Sequence, residues 1–358
     1  PIYNILPAFI DRADGCWAWD RWGNQYLDML SSYSALNLGH NHPRIRRALR
    51  EQVDNVAIVP GCYHSAERIL FAKELAEFCG KEMVLFKNSG AEAVEASIKL
   101  ARKWAYHQKG VRPNEAEIIV CANNFHGRTT TIISFSSEPQ YRDLFGPHTP
   151  GFVTVRYGDA KDLRSAITRN TAAFIVEPIQ GEGGVVVPPE GYLAECYEIC
   201  RQHDVLFIAD EIQTGLARTG RMFACDYGGV VPDVYILGKA LGGGVLPVSA
   251  IVGSRELISV LEPGDDGSTF GGNPLACRVG RETLRVLRDE NLAQNALEMG
   301  EYFRERTLQL VNDSSYIRRL RGKGLLVGIE LRQGLNCAHE LCEELIGVGL
   351  LCKEARKD

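Results

Sequence analysis

The chain alternates between short apolar runs and longer segments in which apolar residues recur every three or four positions. Runs of the first kind predict strands at 83–86, 117–121, 172–176, 205–209 and 234–237. Segments of the second kind predict helices at 67–79, 91–104 and 192–203. Continuous apolar strands that alternate with helices are typical of a mostly parallel central sheet with helices on both faces, an α/β fold.

The two ends of the chain have a different pattern. Residues 1–47 contain short runs of alternating polarity, and helical stretches with one alternating strand, 325–331, follow residue 291. We therefore expect a large α/β domain over residues 48–285. We expect residues 1–47 and 286–358 to form a smaller α+β domain packed against it.

Composition narrows the classes of function. The 358 residues carry a formal net charge of −5, which argues against nucleic acid as a partner. No apolar run reaches the ~18 residues of a membrane span, and the chain opens at Pro1 without a Met or a leader pattern. The 11 cysteines include no Cys-x-x-Cys motif. We therefore expect reduced thiols, no metal site and a cytoplasmic protein.

Two charged residues follow predicted strands, at the sheet edge where such folds bind ligands. Lys239 comes just after the strand at 234–237, and a desolvated amine there would be nucleophilic toward aldehydes; a solvated loop lysine is the alternative. Asp210 ends the run at 205–209, and its carboxylate needs a donor. A protonated pyridine nitrogen would serve, as would a helix N-terminus or a nearby Arg. The chain between the two residues fits one crossover connection, so both could face one crevice.

Other segments suit a phosphate, an aromatic ring and a carboxylate. Ser89, Gly90 and Ala91 begin a predicted helix, where N–H groups could hold a phosphate or simply be capped. The loop 267–272, with Ser268 and Thr269, could add hydroxyls or be an ordinary loop. Phe125 could stack on a ring or belong to the core. Arg128 could bind a carboxylate or lie free at the surface.

Rival cofactor motifs are missing from the sequence. No Gly-x-Gly-x-x-Gly follows a strand, and Gly238-Lys239 has neither the upstream Gly nor the following Ser/Thr of a phosphate loop. No Gly-x-Ser-x-Gly elbow is present. An aldehyde for Lys239, a pyridinium for Asp210, a ring for Phe125 and a phosphate for the turn at 89–91 together describe one cofactor, pyridoxal 5′-phosphate.

The sequence resembles the class III, fold-type I aminotransferases, which depend on this cofactor. The matching segments are 3–7, 30–35, 88–95, 124–129, 177–182, 209–220, 237–244 and 267–275. The segments at 30–35 and 124–129 point to the ornithine branch. The resemblance implies transfer of the δ-amino group of L-ornithine to 2-oxoglutarate, which gives glutamate 5-semialdehyde and glutamate. It also implies a homodimer with shared active sites.

The resemblance implies roles around the cofactor ring. Lys239 would carry the cofactor covalently and then move the proton between substrate carbon and cofactor carbon. Asp210 would pair with the pyridine nitrogen and keep it protonated. Gln213 would hydrogen-bond the ring hydroxyl, and Phe125 would stack on the ring face.

It implies further roles at the phosphate and at the substrate. The cofactor phosphate would be bound by Ser89, Gly90, Ala91 and Ser268, and by Thr269 of the neighbouring subunit. The α-amino acid end of ornithine would be held by Tyr3, Tyr33 and Arg128. Glu182 would act as a gate near the second carboxylate.

Alternatives remain at the level of the sequence. The same cofactor could serve acetylornithine, 4-aminobutyrate or lysine ε-transamination, a racemase or epimerase reaction, or a binding protein without catalysis. Members of the family continue past the point that matches residue 358, into a segment whose arginine binds the glutamate carboxylate and pairs with the counterpart of Glu182. The sequence lacks that segment, so we expect an incomplete small domain, and the use of 2-oxoglutarate stays open.

Overall fold

The computed structural model describes residues 4–335 and 337–355. Its strands, in chain order, are β1 (Ile10–Asp14), β2 (Trp17–Asp20), β3 (Gln25–Asp28), β4 (Met83–Lys87), β5 (Glu117–Cys121), β6 (Phe152–Val155), β7 (Thr171–Val176), β8 (Leu206–Asp210), β9 (Val234–Leu237), β10 (Ser249–Gly253), β11 (Ile317–Lys323), β12 (Leu326–Leu331) and β13 (Leu350–Leu351).

The helical segments follow the same chain order. They are α1 (Ser31–Ser34), α2 (Pro43–Val53), α3 (Ala66–Phe78), α4 (Gly90–Trp104), α5 (Thr130–Ile133), α6 (Pro139–Arg142), α7 (Ala160–Ala166), α8 (Tyr192–Gln202), α9 (Arg255–Ile258), α10 (Pro274–Asp289), α11 (Leu292–Asp313) and α12 (Ala338–Gly347). A wide helical turn, Ala105–Lys109, extends α4, and 3₁₀ turns span Ala224–Gly228 and Lys239–Gly242. No helix in the described part of the chain combines the length and apolar character of a bilayer span.

The central sheet has the strand order β4-β10-β9-β8-β7-β5-β6. Strands β9, β8, β7, β5 and β6 pair in parallel, whereas β10 runs antiparallel to both β4 and β9. The predicted mostly parallel sheet is therefore confirmed. The sequence pattern predicts neither β6 nor β10, and β10 places one reversed strand between β4 and the parallel group.

Side chains of the buried strands alternate between two hydrophobic layers. In β7, Ala173 and Ile175 join the layer that contains α4, while Phe174 and Val176 join the layer that contains α8. All six residues of β7 are buried. Each Phe or Ile side chain buried in this way contributes roughly 1.5–3 kcal/mol, so helices on both faces hold the strand ends in place.

The two ends of the chain meet in a second sheet, of order β1-β2-β3-β13. Strand β13 pairs in parallel with β3, with Leu350 opposite Leu27. This pairing supports the division into domains 48–285 and 1–47 with 286–358, which stays a prediction. The boundaries chosen from sequence fall inside helices α2 and α10, which the Arg44–Glu282 ion pair joins at 2.7 Å.

Candidate active site

The carboxyl ends of three neighbouring parallel strands bring charged side chains together. Asp210 is the last residue of β8, Lys239 follows the end of β9 by two positions, and Glu177 comes directly after β7. Strands β7, β8 and β9 are adjacent in the sheet. Parallel strands end at one edge, so their last residues converge there.

A cavity of about 210 Å³ lies at this edge. It is lined by seven residues predicted from sequence: Gly90, Ala91, Phe125, Glu182, Asp210, Gln213 and Lys239. A neighbouring cavity of about 390 Å³ shares Gly90 and Lys239 and also includes Ser32 and Ser89. Within residues 4–335 and 337–355 no cluster of His, Cys, Asp or Glu is suited to a metal ion.

Asp210 is fixed by two partners below the cavity. Its Oδ2 lies 2.6 Å from Nδ1 of His126, and its Oδ1 accepts the backbone N–H of Ile212 at 3.1 Å. Burial alone would lower the pKa of His126, but the hydrogen bond and the charge of Asp210 outweigh it, so that pKa lies above its ordinary value. The raised pKa favours the protonated form of His126, which places a positive charge against Asp210. The Nε2 atom of His126 is buried without a partner among the described residues.

Glu177 ties two loops of the cavity together. Its carboxylate accepts the backbone N–H of Phe125 at 2.9 Å and that of Gly181 at 3.3 Å. Burial raises the pKa of Glu177 to about 7, the charge of His126 opposes that rise, and the charge of Asp210 adds to it. The loop that carries Phe125 and the loop that leads to Glu182 are thus held by a single buried carboxyl group.

Lys239 has the environment of a reactive amine. It is partly buried in the cavity wall, and burial lowers its pKa despite the charges of Glu182, Asp210 and Glu177, which act in the opposite direction. Its backbone φ of +44° is unusual for a residue with a side chain. A lowered pKa leaves more of the amine unprotonated and nucleophilic near neutral pH.

The backbone at the start of α4 is suited to binding an anion. Ser89 and Glu92 form a capping box, in which Ser89 Oγ accepts the Glu92 N–H at 3.2 Å and the Glu92 carboxylate accepts the Ser89 N–H at 2.7 Å. The N–H groups of Gly90 and Ala91 come next, line the cavity and have no acceptor within the helix. A Cβ atom at Gly90 would come within 2.9 Å of Ile212, so this close approach favours glycine.

Gln213 and Glu182 close the cavity from one side. Gln213 Nε2 donates to Glu182 Oε1 at 3.4 Å. A Cβ atom at Gly181 would lie 1.4 Å from Gln213 Oε1, so a side chain at position 181 would displace the Gln213 amide from Glu182. The gate residue and the ring-hydroxyl residue implied by the resemblance are therefore in mutual contact.

Arg128 lies at the surface next to Phe125. Its guanidinium carbon is 4.2 Å from the centroid of the Tyr141 ring and 5.9 Å from that of Phe125. The rings of Phe125 and Tyr141 meet edge to face at 6.1 Å. Cation–π contact with both rings places this positive charge beside the cavity loop.

Tyr33 lies in an unusual turn. The residues Ser31, Ser32, Tyr33 and Ser34 all have positive φ, between 43° and 75°. A left-handed residue with a side chain costs roughly 1–2 kcal/mol, so neighbouring contacts must hold the turn. Asp28 accepts the Ser31 N–H at 2.8 Å, and Arg218 donates to Ser31 Oγ at 2.7 Å. Burial lowers the pKa of Arg218 to about 10, and its guanidinium is further held by Asn37.

Five residues predicted for the site are not part of the cavity walls. Tyr33, Arg128, Ser268 and Thr269 line neither cavity, and Tyr3 lies outside the described residues. Ser268 Oγ accepts an N–H from Asn88 at 2.9 Å. Thr269 is exposed.

Sequence reasoning assigned no role to His126, Glu177 or Arg218. His126 follows Phe125 directly, and Glu177 and Arg218 fall within matching segments of the resemblance. Glu177 carries a sequence signal, because it directly follows the apolar run 172–176 and a buried charge there needs a partner, whereas His126 and Arg218 lie in loops without such a signal. Their partners, however, lie far away along the chain, so only the fold identifies them.

Comparison with known proteins places the chain in a family. The family profile Aminotransferase class-III matches residues 2–358. The chain is 54% identical over 352 residues to the ornithine aminotransferase of Bacillus subtilis (strain 168), covering 98% of this chain and 86% of that protein. It is 52% identical over 355 residues to the ornithine aminotransferase of Brevibacillus brevis, covering 99% and 88%.

Solved structures agree with this similarity. The ornithine aminotransferase from Toxoplasma gondii superposes with a TM-score of 0.98 at 43% identity, covering 99% of this chain and 84% of that one. The acetylornithine aminotransferase from Elizabethkingia anophelis gives a TM-score of 0.89 at 43% identity, covering 98% and 87%. The profile, the two relatives and the fold agree: the chain belongs to the class III aminotransferases, with the fold of type I.

Proposed function

We propose that the chain is a pyridoxal 5′-phosphate-dependent aminotransferase that moves the δ-amino group of L-ornithine to 2-oxoglutarate. The products are glutamate 5-semialdehyde and glutamate. The observation that carries this proposal is the convergence of Lys239 and Asp210 on one cavity, beside the start of α4. The two ornithine aminotransferases that are more than half identical to the chain support the choice of substrate.

The cavity fits a phosphorylated pyridine. It presents a carboxylate, an amine of lowered pKa, one aromatic ring and the N–H groups that begin a helix. Glycine at position 90 lets a phosphate approach this backbone closely. When bound, pyridoxal 5′-phosphate supplies the electron sink for cleavage of a bond at the substrate carbon.

The proposed roles of the cavity residues follow from these positions. Asp210 would hold a proton on the pyridine nitrogen, because it lines the cavity and its orientation is fixed by His126 and the Ile212 N–H. Lys239 would move a proton between the two reacting carbons, since it faces the same cavity with a nucleophilic, weakly basic amine. Phe125 would support one face of the ring, and Gln213 would donate to the ring hydroxyl on releasing Glu182.

His126 and Glu177 would act as positioning residues. His126 fixes the orientation of Asp210, and Glu177 fixes the loops that carry Phe125 and Glu182. Hydrogen bonds of this kind hold catalytic groups within a few tenths of an ångström of the productive geometry. Neither residue needs to touch the substrate.

We propose that the substrate binds at the outer side of the cavity. Arg128 carries a positive charge beside Phe125 and suits a carboxylate. Tyr33 and Tyr3 would contact the α-amino acid end of ornithine. Glu182 would gate the second carboxylate by changing its contact with Gln213.

We propose a homodimer in which Thr269 of one subunit reaches the phosphate bound by the other. The side chains of Ile58, Tyr63, Ile69 and Phe270 are exposed apolar groups. Arg68 connects the segments that carry them, because it donates to the carbonyls of Val59, Tyr63 and Gly272. An exposed apolar surface beside the loop of Thr269 suits a second copy of the chain.

We also propose a cytoplasmic location. The cysteines that the structure describes are free thiols. Unpaired thiols in such numbers suit a reducing compartment.

Acetylornithine is the second candidate donor, because a solved acetylornithine aminotransferase shares 43% of its sequence with the chain. Acetylation removes the α-amine charge of the substrate. A site that recognises the free α-amine would therefore discriminate between the two donors.

A panel of amine donors tests the proposed function. The purified, cofactor-loaded enzyme is assayed with ornithine, acetylornithine, 4-aminobutyrate and lysine, each with 2-oxoglutarate. We expect ornithine to give the highest kcat/KM and glutamate to form in equal amount to the semialdehyde. A higher kcat/KM for acetylornithine would show that acetylornithine, not ornithine, is the preferred donor. If no donor gave glutamate, the aminotransferase function would be rejected.

A further inference from the structure

Two cysteines near the end of the described chain lie against each other. Cys342 is buried on α12, and Cys352 follows β13 directly and is partly exposed. Their sulfur atoms are 3.7 Å apart. No other pair of thiols within the described ranges is in hydrogen-bond contact. A disulfide has a sulfur–sulfur distance of ~2.05 Å. The two sulfur atoms must therefore move closer by ~1.6 Å to form one.

The surroundings distinguish this pair from the other buried thiols. Burial raises the pKa of Cys121 and that of Cys196 to about 12, which keeps these thiols protonated and inert. Cys352 differs, because the hydrogen bond between the two thiols lowers its pKa despite burial. Cys342 correspondingly holds its proton more tightly, so its pKa is raised. Cys352 is the more exposed thiol of the pair and can be reached from solvent, and the buried Cys342 lies beside it as the resolving thiol.

The pair joins α12 to a segment that approaches the turn of Tyr33. Strand β13 joins β3 of the N-terminal sheet at Leu350 and Leu27. Lys353, the residue after Cys352, has its ammonium 5.9 Å from the Tyr33 ring. A covalent link from α12 to this segment would fix Lys353 against the left-handed turn Ser31–Ser34 that borders the second cavity.

We propose that Cys342 and Cys352 form a reversible disulfide, a redox-sensitive site that fastens α12 to the segment behind β13. The oxidant is a low-molecular-weight disulfide such as oxidised glutathione. The Cys352 thiolate attacks one of its sulfurs and forms a mixed disulfide, and one glutathione leaves as a thiolate. The Cys342 sulfur, on losing its proton, then displaces the second glutathione. The protein loses two protons and two electrons, and one oxidised glutathione becomes two reduced molecules.

Thiol mapping across a redox series tests the proposal. The full chain is equilibrated with mixtures of reduced and oxidised glutathione, quenched in acid, alkylated and analysed by peptide mass spectrometry. We expect the peptides of Cys342 and Cys352 to become linked, with the loss of two alkylatable thiols and full recovery after dithiothreitol. The readout is thiol content, so it does not depend on which amine the enzyme uses.

Matched variants separate this pair from the remaining thiols. Cys342→Ser and Cys352→Ser should each abolish the linked peptide, whereas Cys16→Ser, which removes an exposed thiol elsewhere, should leave it intact. Amide exchange across residues 338–352 should slow on oxidation of the wild type and stay unchanged in Cys342→Ser. A wild type that shows only glutathione on Cys352, a link between other cysteines, or no change in the most oxidising mixture would overturn the proposal.

Discussion

The inner and outer sides of the proposed active site are built differently. On the inner side, His126, Asp210 and Glu177 are buried and hold one another or the backbone through short hydrogen bonds. On the outer side, Tyr33 and Arg128 are exposed, and Arg128 rests on aromatic rings. Rigid charged groups serve chemistry shared by every donor, whereas accessible groups suit recognition of one particular donor.

This difference has an energetic basis. A buried charge without its partner costs several kcal/mol, so a change on the inner side disturbs both the chemistry and the fold. An exposed charge is screened by water and contributes little to stability. We therefore expect inner changes to act on kcat and on unfolding, and outer changes to act on KM.

The largest effect is expected from Lys239→Ala. Loss of the only proposed nucleophile and proton carrier should lower kcat by about four orders of magnitude or more. The fold should stay intact, because truncating Lys239 removes a partly buried amine of lowered pKa and no ion pair among the described residues depends on it. Steady-state kinetics and thermal unfolding check both parts, with the exposed Lys161→Ala as the control. Turnover by Lys239→Ala at the wild-type rate would show that this residue takes no part in the chemistry.

Asp210→Asn should come next, with a loss in kcat of about 10²–10³. The variant removes the negative charge that faces the cavity and that holds His126 at 2.6 Å. Asp233→Asn is the matched control, because Asp233 accepts the N–H of Phe207 at 2.7 Å at the opposite end of the same strands. We expect Asp233→Asn to lower stability and to retain kcat. Equal losses of kcat in both variants would show that strand packing, not the charge in the cavity, is the cause.

Glu211→Gln tests how burial acts on a carboxyl group whose hydrogen-bond partners among the described residues are uncharged. Burial raises the pKa of Glu211 to about 7 from 4.5, while Thr214 and Cys225 donate to its carboxylate. The folded chain thus binds this proton more tightly than the unfolded chain. The resulting stability is fully present below pH 4.5 and is lost as the pH rises to about 7.

The change amounts to about 3–4 kcal/mol at roughly 1.4 kcal/mol per pKa unit. Glutamine resembles the protonated acid, so Glu211→Gln should flatten the fall in the free energy of unfolding across this pH range. Urea unfolding of both proteins at several pH values measures the slopes. Parallel slopes for the two proteins would mean that Glu211 does not titrate in this range.

Arg128→Ala should have the smallest effect and should act on the outer side alone. Loss of one exposed charge-assisted contact should raise KM for ornithine about tenfold, with less change for an ω-amine that has no carboxylate. Kinetics with both donors provide the comparison. The same increase in KM for both donors would exclude Arg128 from carboxylate binding.

The sequence predicts the positions of Asp210 and Lys239 well, but it assigns no role to His126 or Glu177 on the inner side. Apolar runs end at Asp210 and just before Lys239, and the carboxyl ends of parallel strands share one edge, so local patterns are enough to place both side chains. Strands 117–121 and 234–237 match β5 and β9, and the helix predicted at 91–104 matches α4 within one residue. These elements follow from periodicity that neighbouring residues themselves create.

Contacts between distant segments account for what could not be predicted. The turn Ser31–Ser34 is held by Arg218, and no local pattern of serines predicts a left-handed conformation. The position of β10 between β4 and β9 depends on pairing over long stretches of chain. Thr269 can be assigned only through a second subunit, which one sequence does not position.

Borohydride reduction tests the central claim, the convergence of Lys239 and Asp210 on one cofactor, most directly. The wild type and Asp210→Asn are loaded with pyridoxal 5′-phosphate, reduced and mapped by peptide mass spectrometry. We predict one modified lysine, Lys239, in both proteins, with the visible absorbance of the unreduced cofactor shifted in Asp210→Asn. Modification of a different lysine, or identical spectra in the two proteins, would contradict the account.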